Sequence, residues 1–299
     1  MPRSGEEYRM EITQKIIEAL ENGTAPWQKP WLDYRPVNAV TGNFYVGINS
    51  IILSIEGEKF TTNEDSRWAT RRQAESKKWS IKSDEKPITL KFFRIFEEEV
   101  ESNRLRDIFQ GRNVRKYAVS KTFEVFHASQ IQGIPFLPAI RRKQKHIVND
   151  EVIDKIIFNA SARIYEGGNE ACYSPDIDVI RMPIKKSFAD TESYYSTLLH
   201  ELAHWTGHRS RLDRIASFDR GSASYAREEL VAEIASMFLS AEFGISQTQE
   251  HFDQHAAYIN SWIKYLKSDP NAIFNAAKEA KKAANYILTF KEVEIKLAS

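Results

Sequence analysis

One five-residue run, H-E-L-A-H at positions 200–204, constrains the fold more than any other part of the sequence. Residues four apart lie on the same face of an α-helix, so a helix would point His200 and His204 at one metal ion. Glu201 would lie about a quarter-turn away, within reach of a water molecule on that ion. A divalent ion lowers the pKa of such a water to roughly 7, and the carboxylate can then accept its proton. The run therefore predicts a buried helix that carries a site for metal-assisted hydrolysis.

Two histidines are too few, because catalytic zinc usually takes three protein ligands and keeps one position for water. A third histidine at the spacing H-E-x-x-H-x-x-G-x-x-H is excluded, since Ser210 occupies that position. A second predicted helix offers Glu229 and Glu233, which lie four apart on one face. We expect Glu229 to be the third ligand and Glu233 to orient a histidine, with Glu233 as the alternative ligand. Most of this helix is apolar, and among its carboxylates we expect Glu228 to be the one that faces solvent.

Composition places the chain among globular proteins, with 299 residues, 28% charged residues and a net charge of +1. Residues 1–150 carry 25 Lys+Arg against 20 Asp+Glu, and the remainder carries 17 against 21, so a basic front part precedes an acidic back part. A single cysteine, Cys172, excludes an intrachain disulfide and suits a reducing compartment. The sequence shows no signal-peptide pattern and no apolar run of about 18 residues, so we expect neither secretion nor membrane spanning. We therefore expect a cytoplasmic protein with no membrane partner.

Hydrophobic periodicity and turn residues predict an α+β organisation with two parts. The front part is expected to hold a small antiparallel sheet, with helices at 5–21 (including Met10 on its apolar face), 48–56 and 67–76, and strands at 86–96 and 116–126. After proline residues and the basic run 141–145, the back part is expected to hold a short sheet and several helices. Its elements are a helix at 149–159, strands at 163–166 and 177–182, and helices at about 190–206, 223–243, 248–267 and 271–288.

Aromatic and cationic residues alternate along the front part of the chain. The aromatic set is Trp27, Trp31, Tyr45 and Trp68, and the cations among them include Arg35, Arg71, Arg72 and Lys77. Rings that stack on bases and cations that contact phosphates are what a single-stranded nucleic-acid binder needs. Tryptophans flanked by prolines are also common in hydrophobic cores, so both interpretations stay open.

The sequence resembles the ArdC family of antirestriction proteins, and its front part also resembles the N-terminal part of TraC-type primases. The matching segments are 23–31, 35–38, 45–49, 68–73, 125–131, 200–208 and 225–233. The resemblance implies a single-stranded DNA-binding domain at 1–138 and a zincin-like metallopeptidase domain of the gluzincin type at 146–299. Within the matching segments it adds Asn38 and Gln73 to the residues expected to bind DNA.

The resemblance also implies a biological role. The expected function is to bind single-stranded DNA, and double-stranded DNA more weakly, and to protect incoming plasmid DNA from host restriction during conjugation. The alternative is an active metalloprotease that cleaves a host protein and uses DNA binding for targeting. Zn²⁺ is the expected ion, with Mn²⁺ or another divalent ion as alternatives. Whether the site is an active peptidase is left open by the sequence.

Overall fold

The computed structural model describes residues 5–23, 25–27, 35–63, 65–99, 114–136, 150–215, 222–245 and 258–292. Contacts divide the chain into two compact units. The helical unit comprises residues 1–36, 44–65 and 136–299, and the sheet unit comprises residues 37–43 and 66–135. The α+β class predicted from the sequence is confirmed by the mixture of helices and small sheets.

The sheet unit is built on a long hairpin of strands β4 (Ile88–Glu99) and β5 (Val114–His127), paired from Ile88 opposite Val125 to Glu99 opposite Val114. Strand β2 (Arg67–Ala69) pairs antiparallel with β5, and β1 (Val37–Asn38) pairs with β2 in parallel. The four-stranded sheet is therefore antiparallel, as predicted, except for the parallel pairing of the two-residue strand β1 with β2. The short strands β3 (Ser80–Ile81) and β6 (Ile131–Gln132) form a second, two-stranded sheet.

The predicted helix at 67–76 begins later than expected, because Thr70 caps it. The Thr70 side chain accepts a hydrogen bond from the backbone N–H of Gln73, and the Gln73 side chain accepts one from the backbone N–H of Thr70. This capping box fixes the start of helix α3 (Arg71–Ser76), and the residues before it are extended in β2. A small core of Ala69, Ala74, Phe126 and Ile131 joins α3 to the sheet.

The helical unit combines the first two helices of the chain with the last ones. Helices α1 (Gly5–Glu21) and α2 (Ile48–Gly57) match their predicted positions. Helix α1 buries Ile12, Ile16, Ile17 and Leu20, but Met10 is 54% exposed, which corrects its predicted place on the apolar face. The hydroxyl of Thr13 donates to the carbonyl of Pro270 at 2.9 Å, so α1 contacts the C-terminal helices directly.

The rest of the helical unit is one helix, then a short sheet, then further helices, in the predicted order. The sheet has the order β7 (Ile164–Glu166), β9 (Val179–Met182), β8 (Cys172–Ser174), and β8 is a strand that the sequence did not predict. The helices are α4 (Asp150–Ala160), α5 (Thr191–Trp205), α6 (Ala223–Phe243), α7 (Ile259–Ser268) and α8 (Ala272–Leu288). Helix α6 ends at Phe243, as predicted, and its C-cap Gly244 adopts φ 73°, a left-handed conformation that favours glycine.

The division into domains 1–138 and 146–299 stays a prediction, because the two compact units run differently along the chain and the boundary lies among residues outside the described ranges. The start of the helix predicted at 248–267 also lies outside them. Within the described residues, no helix is both long and apolar enough to cross a membrane.

Candidate functional site

Helix α5 carries the H-E-x-x-H run and is held at both ends. The Asp190 side chain accepts a hydrogen bond from the backbone N–H of Ser193 at 2.7 Å, so Asp190 is the N-cap. At the C-terminus Thr206 is the C-cap, and Gly207 has no positive φ. Gly207 is needed for space instead, since a Cβ there would lie 2.7 Å from the side chain of Ile215.

Helices α5 and α6 bring three potential metal ligands together. His200, His204 and Glu229 are all buried, and each offers one ligand atom within 4.8 Å of the other two. The Nε2 atoms of the two histidines are 3.1 Å apart. Glu229 approaches both rings, with its carboxylate oxygens 3.6 Å from His200 Nε2 and 3.5 Å from His204 Nε2. The helical spacing read from the sequence therefore corresponds to a real convergence of side chains.

These separations fit a divalent cation. Bonds of 2.0–2.1 Å to nitrogen and oxygen donors in tetrahedral geometry place the donor atoms roughly 3.3 Å from one another. The three observed distances lie within a few tenths of an ångström of that value. Two imidazoles and a carboxylate are also a donor set that zinc and other divalent ions accept. Glu201 is buried beside them, next to His200 on the same helix.

A second carboxylate contacts the far nitrogen of each histidine. Glu233 Oε1 lies 3.2 Å from His200 Nδ1, and Glu228 Oε1 lies 3.3 Å from His204 Nδ1. A carboxylate that accepts the Nδ1 proton leaves Nε2 as the lone-pair donor, which is the atom that faces the cluster. Glu233 thus lies where the sequence predicted an orienting residue.

Glu228 corrects the sequence prediction, which placed it in solvent. It is 7% exposed, and its carboxylate is gripped by Arg214, whose Nη2 and Nε donate to Oε1 and Oε2 at 2.8 and 2.9 Å. The ion pair offsets the cost of burying the charge. No spacing rule links Arg214 to α6, so the sequence offered no signal for this contact.

The carboxylates around the cluster raise the pKa of both histidines, and the histidines in turn favour an ionised Glu229. Burial would lower the pKa of His204, but the charge of Glu229 and the contact with Glu228 raise it to about 9. Burial would raise the pKa of Glu229, yet the two histidines hold it below its ordinary value. Burial raises the pKa of Glu201, as suits a proton acceptor near neutral pH. Protons therefore compete with a cation for these ligand atoms.

The cluster opens into a cavity of about 570 Å³. Its wall includes the edge strand β8, Phe188 and the hydroxyl pair of Tyr225 and Tyr258, whose oxygens are 3.2 Å apart. The charged residues in the wall are Glu170, Glu201 and Glu229, with the two histidines. Among the described residues that line the cavity there is no lysine or arginine. The cavity therefore suits a neutral or cationic ligand better than a polyanion.

The four predicted aromatic DNA-binding residues differ in how they are placed. Trp27 and Trp68 are 0% and 1% exposed, and their rings pack edge-on against Trp262 and His127 at 5.6 and 4.9 Å. A fully buried indole offers no face to a base, so the stacking prediction for these two is wrong. Trp31 lies outside the described residues, and Tyr45 is half-buried.

The polar members of the set also divide. Asn38 holds a turn, since its Oδ1 accepts from the N–H groups of Val40 and Thr41 and its Nδ2 donates to Gln73. Arg35 is half-buried, above the Phe44 ring at 4.2 Å. Only three of the predicted cations are exposed, and all lie in or directly after α3: Arg71, Arg72 and Lys77.

Two protein families match the chain, one in its front part and one in its back part. Residues 6–126 match the family described as the N-terminal domain of anti-restriction factor ArdC, and residues 151–279 match the zincin-like metallopeptidase family. Two proteins named DNA primase TraC from Escherichia coli are 37% and 38% identical to the chain over 96% and 95% of its length. The chain spans only 28% and 20% of the lengths of these two relatives.

The fold is also that of a solved structure, the antirestriction ArdC protein from plasmid R388. Its metal-free structure is 34% identical, covers 95% of this chain and 97% of that one, and superposes with a TM-score of 0.74. The Mn(II)-bound structure of the same protein gives a TM-score of 0.71 with 95% and 98% coverage. The likeness extends over nearly the whole of both chains, and with both family matches it shows that this chain belongs to the ArdC family of antirestriction proteins.

Proposed function

We propose that the chain binds single-stranded DNA, and double-stranded DNA more weakly, and thereby protects incoming plasmid DNA from host restriction enzymes during conjugation. The observation that carries this proposal is the group of exposed cations at α3, formed by Arg71, Arg72, Lys77 and Lys78. Cations that meet phosphates supply sequence-independent affinity for nucleic acid. A protein that coats a single strand keeps the duplex substrate of a restriction enzyme from forming.

The rigidity of α3 supports this role for its cations. The capping box at Thr70 and Gln73 fixes the helix start, and the Arg71 guanidinium lies over the Phe126 ring at 5.2 Å. Glu75 is the single acidic residue between Arg71 and Lys78, so the segment is clearly basic. Stacking on bases is left to Tyr45 and Trp31, because the other two tryptophans are in the core.

A transfer experiment tests the proposal. An unmethylated plasmid is conjugated into restricting and non-restricting recipients that differ only in the restriction enzyme. We expect the triple variant Arg71→Gln/Arg72→Gln/Lys77→Gln to lose protection in the restricting recipient, with unchanged transfer into the other. Full protection by this variant, at normal protein levels, would sink the assignment of α3.

The second candidate function is hydrolysis of a peptide bond in a host protein. The observation that favours it is the convergence of His200, His204 and Glu229 in a cavity whose described walls carry no basic residue. Walls whose described residues include carboxylates and no basic residue repel the charged phosphates of a nucleic acid, whereas a polypeptide can enter the cavity. An extended peptide could also add to the edge strand β8, as peptides add to exposed sheet edges.

The roles follow from the geometry. His200, His204 and Glu229 would hold the cation, with Zn²⁺ expected and Mn²⁺ as the alternative, and the cation would supply Lewis acidity. Glu201 would accept a proton from the attacking water and pass it to the leaving amine, a role for which its buried position is suited. Glu233 would keep His200 in the tautomer that presents Nε2.

Glu201→Gln separates the two functions, because it preserves shape and removes the proton acceptor. Under the first function the variant protects the plasmid as well as the unaltered protein does. If protection disappears while single-strand affinity and metal content stay normal, the peptidase becomes the primary function. Metal content is measured by elemental analysis, and DNA affinity is measured by fluorescence anisotropy on the same preparation.

A further inference from the structure

Arg214 reaches the metal-site region from a segment that follows helix α5. Its side chain is 3% exposed and donates four hydrogen bonds. Two go to the carboxylate oxygens of Glu228, at 2.8 and 2.9 Å. The other two go to the carbonyl oxygen of Ala203 at 2.8 Å and to the hydroxyl of Thr206 at 3.0 Å. One buried guanidinium thus joins the end of α5 to the start of α6.

This bridge depends on the close return of the chain at Gly207. The backbone N–H groups of Arg214 and Ile215 both donate to the carbonyl of Gly207, at 2.9 and 3.0 Å. A side chain at position 207 would collide with Ile215, so the return needs glycine there. The segment is therefore built to deliver the guanidinium to the last turn of α5.

The two parallel hydrogen bonds from Arg214 to Glu228, here called the fork, connect to a histidine of the metal cluster. Glu228 Oε1 is shared between Arg214 Nη2 and His204 Nδ1, at 2.8 and 3.3 Å. Two parallel hydrogen bonds from a planar guanidinium fix the plane of a carboxylate, which a single bond does not. A fixed carboxylate in turn fixes the ring angle and tautomer of His204, and hence the direction of its Nε2.

The two histidines are supported differently. Glu233 meets His200 from within the apolar face of α6 and is 0% exposed. Glu228 stands one turn nearer the helix start and is held by a cation from another segment. Orientation of His204 therefore depends on a residue that belongs to neither ligand-bearing helix.

We propose that Arg214 is a positioning residue for the metal site, which acts through Glu228 to hold His204 in the metal-binding geometry. This inference rests on the metal site of the proposed function. Outer residues that orient ligands typically change metal affinity by about 10–100-fold when they are removed. We expect a loss of about tenfold from Arg214→Lys, which keeps the charge and loses the fork.

The test is a double-mutant cycle on the full chain, with Arg214→Lys, Glu228→Gln and the combined variant. Affinities for Zn²⁺ and Mn²⁺ are measured by competition with a chromophoric chelator, and unfolding midpoints are measured in the presence of EDTA. Because Arg214 acts through Glu228, the combined variant should bind metal no more weakly than Glu228→Gln alone. Additive losses in the cycle would overturn the proposal.

Thr206→Val is the control, since it removes the contact of Arg214 with the Thr206 hydroxyl, together with that hydroxyl's bond to the Ala203 carbonyl, and leaves the two bonds to Glu228 intact. Its metal affinity should stay within about twofold of the unaltered protein. If Arg214→Lys lowers only the unfolding midpoint and leaves both metal affinities unchanged, Arg214 merely caps α5 and the inference fails. If the unaltered protein binds neither ion, the proposed metal site is wrong. This outcome can be told apart from failure of the Arg214 proposal, because it is seen without any variant.

Discussion

The sequence placed a metal site on helices α5 and α6 and a DNA-binding surface on the aromatic segment 25–79. The structure supports the first placement better than the second. In the helix pair, the residues chosen by spacing converge on one point. In the aromatic segment, Trp27 and Trp68 are in the core, and the predicted DNA-binding residues that are exposed are the cations Arg71, Arg72 and Lys77. Helical spacing determines which side chains share a face, whereas residue type alone does not determine exposure. A motif that rests on geometry therefore transfers to the structure better than one that rests on composition.

The largest expected effect comes from removing the front of the chain, because its first helices belong to the helical unit. Residues 146–299 expressed alone would lack α1, α2 and Trp27, which pack in the same unit as the C-terminal helices. We expect this fragment to lose cooperative unfolding, as judged by urea titration of tryptophan fluorescence and circular dichroism. A fragment that unfolds with the midpoint of the full chain would restore the simple division at 138 and 146.

The next effect tests whether the buried tryptophans serve the core. We expect Trp27→Ala and Trp68→Ala each to lower the free energy of unfolding by about 3–5 kcal/mol, because each leaves a large cavity. The control is Tyr165→Ala, an exposed aromatic whose loss should cost less than about 0.5 kcal/mol. Unchanged stability with weakened DNA binding would return these residues to a stacking role. Urea denaturation and anisotropy measure the two quantities.

A smaller effect is expected from the exposed cations. Three lost phosphate contacts in Arg71→Gln/Arg72→Gln/Lys77→Gln should reduce the slope of log affinity against log salt by about 2 for single strands. Stability should change by less than about 0.5 kcal/mol. The control triple, Lys264→Gln/Lys278→Gln/Lys281→Gln, alters the same net charge on exposed positions of α7 and α8. Equal slopes in the two triples would show that net charge, not α3, governs binding.

The smallest effect concerns a buried carboxylate outside the metal site. Glu56 pairs with Lys15 at 2.8 Å and also with Lys59. Burial would raise the pKa of Glu56, but the two lysines hold it below its ordinary value. A lowered pKa contributes stability above the unfolded value and loses it as pH falls. We expect Glu56→Gln to cost about 1 kcal/mol at pH 7 and less near pH 3.5, in urea titrations at both pH values. An equal cost at the two pH values would contradict the ion-pair account.

Much of the helical architecture could be predicted from the sequence, because periodicity and caps act locally. The bounds of α1 and the end of α6 at Gly244 are examples. Strand β8 was missed, since three residues carry no period and are extended only through pairing with β9. The helix predicted at 67–76 begins only at Arg71, because a capping box of Thr70 and Gln73 fixes its start. The spacing of these two residues in the sequence could have revealed this.

The candidate site divides in the same way. The convergence of His200, His204 and Glu229 follows from two helical spacings, although their roles as ligands stay predictions. The Arg214 fork could not be predicted, because it joins a turn to a helix across a contact that no local pattern encodes. Glu228 was placed in solvent for the same reason, since its buried partner was unknown.

The contact between Thr13 and Pro270 has a consequence for synthesis. The two residues are 257 positions apart. At about 5–20 residues per second, the ribosome delivers the partners of α1 roughly 13–50 s after α1 itself. During that interval α1 cannot make its contact with the turn at Pro270. The helical unit can therefore close only after α7 and α8 have been translated, and the nascent chain is a natural client for chaperones until then.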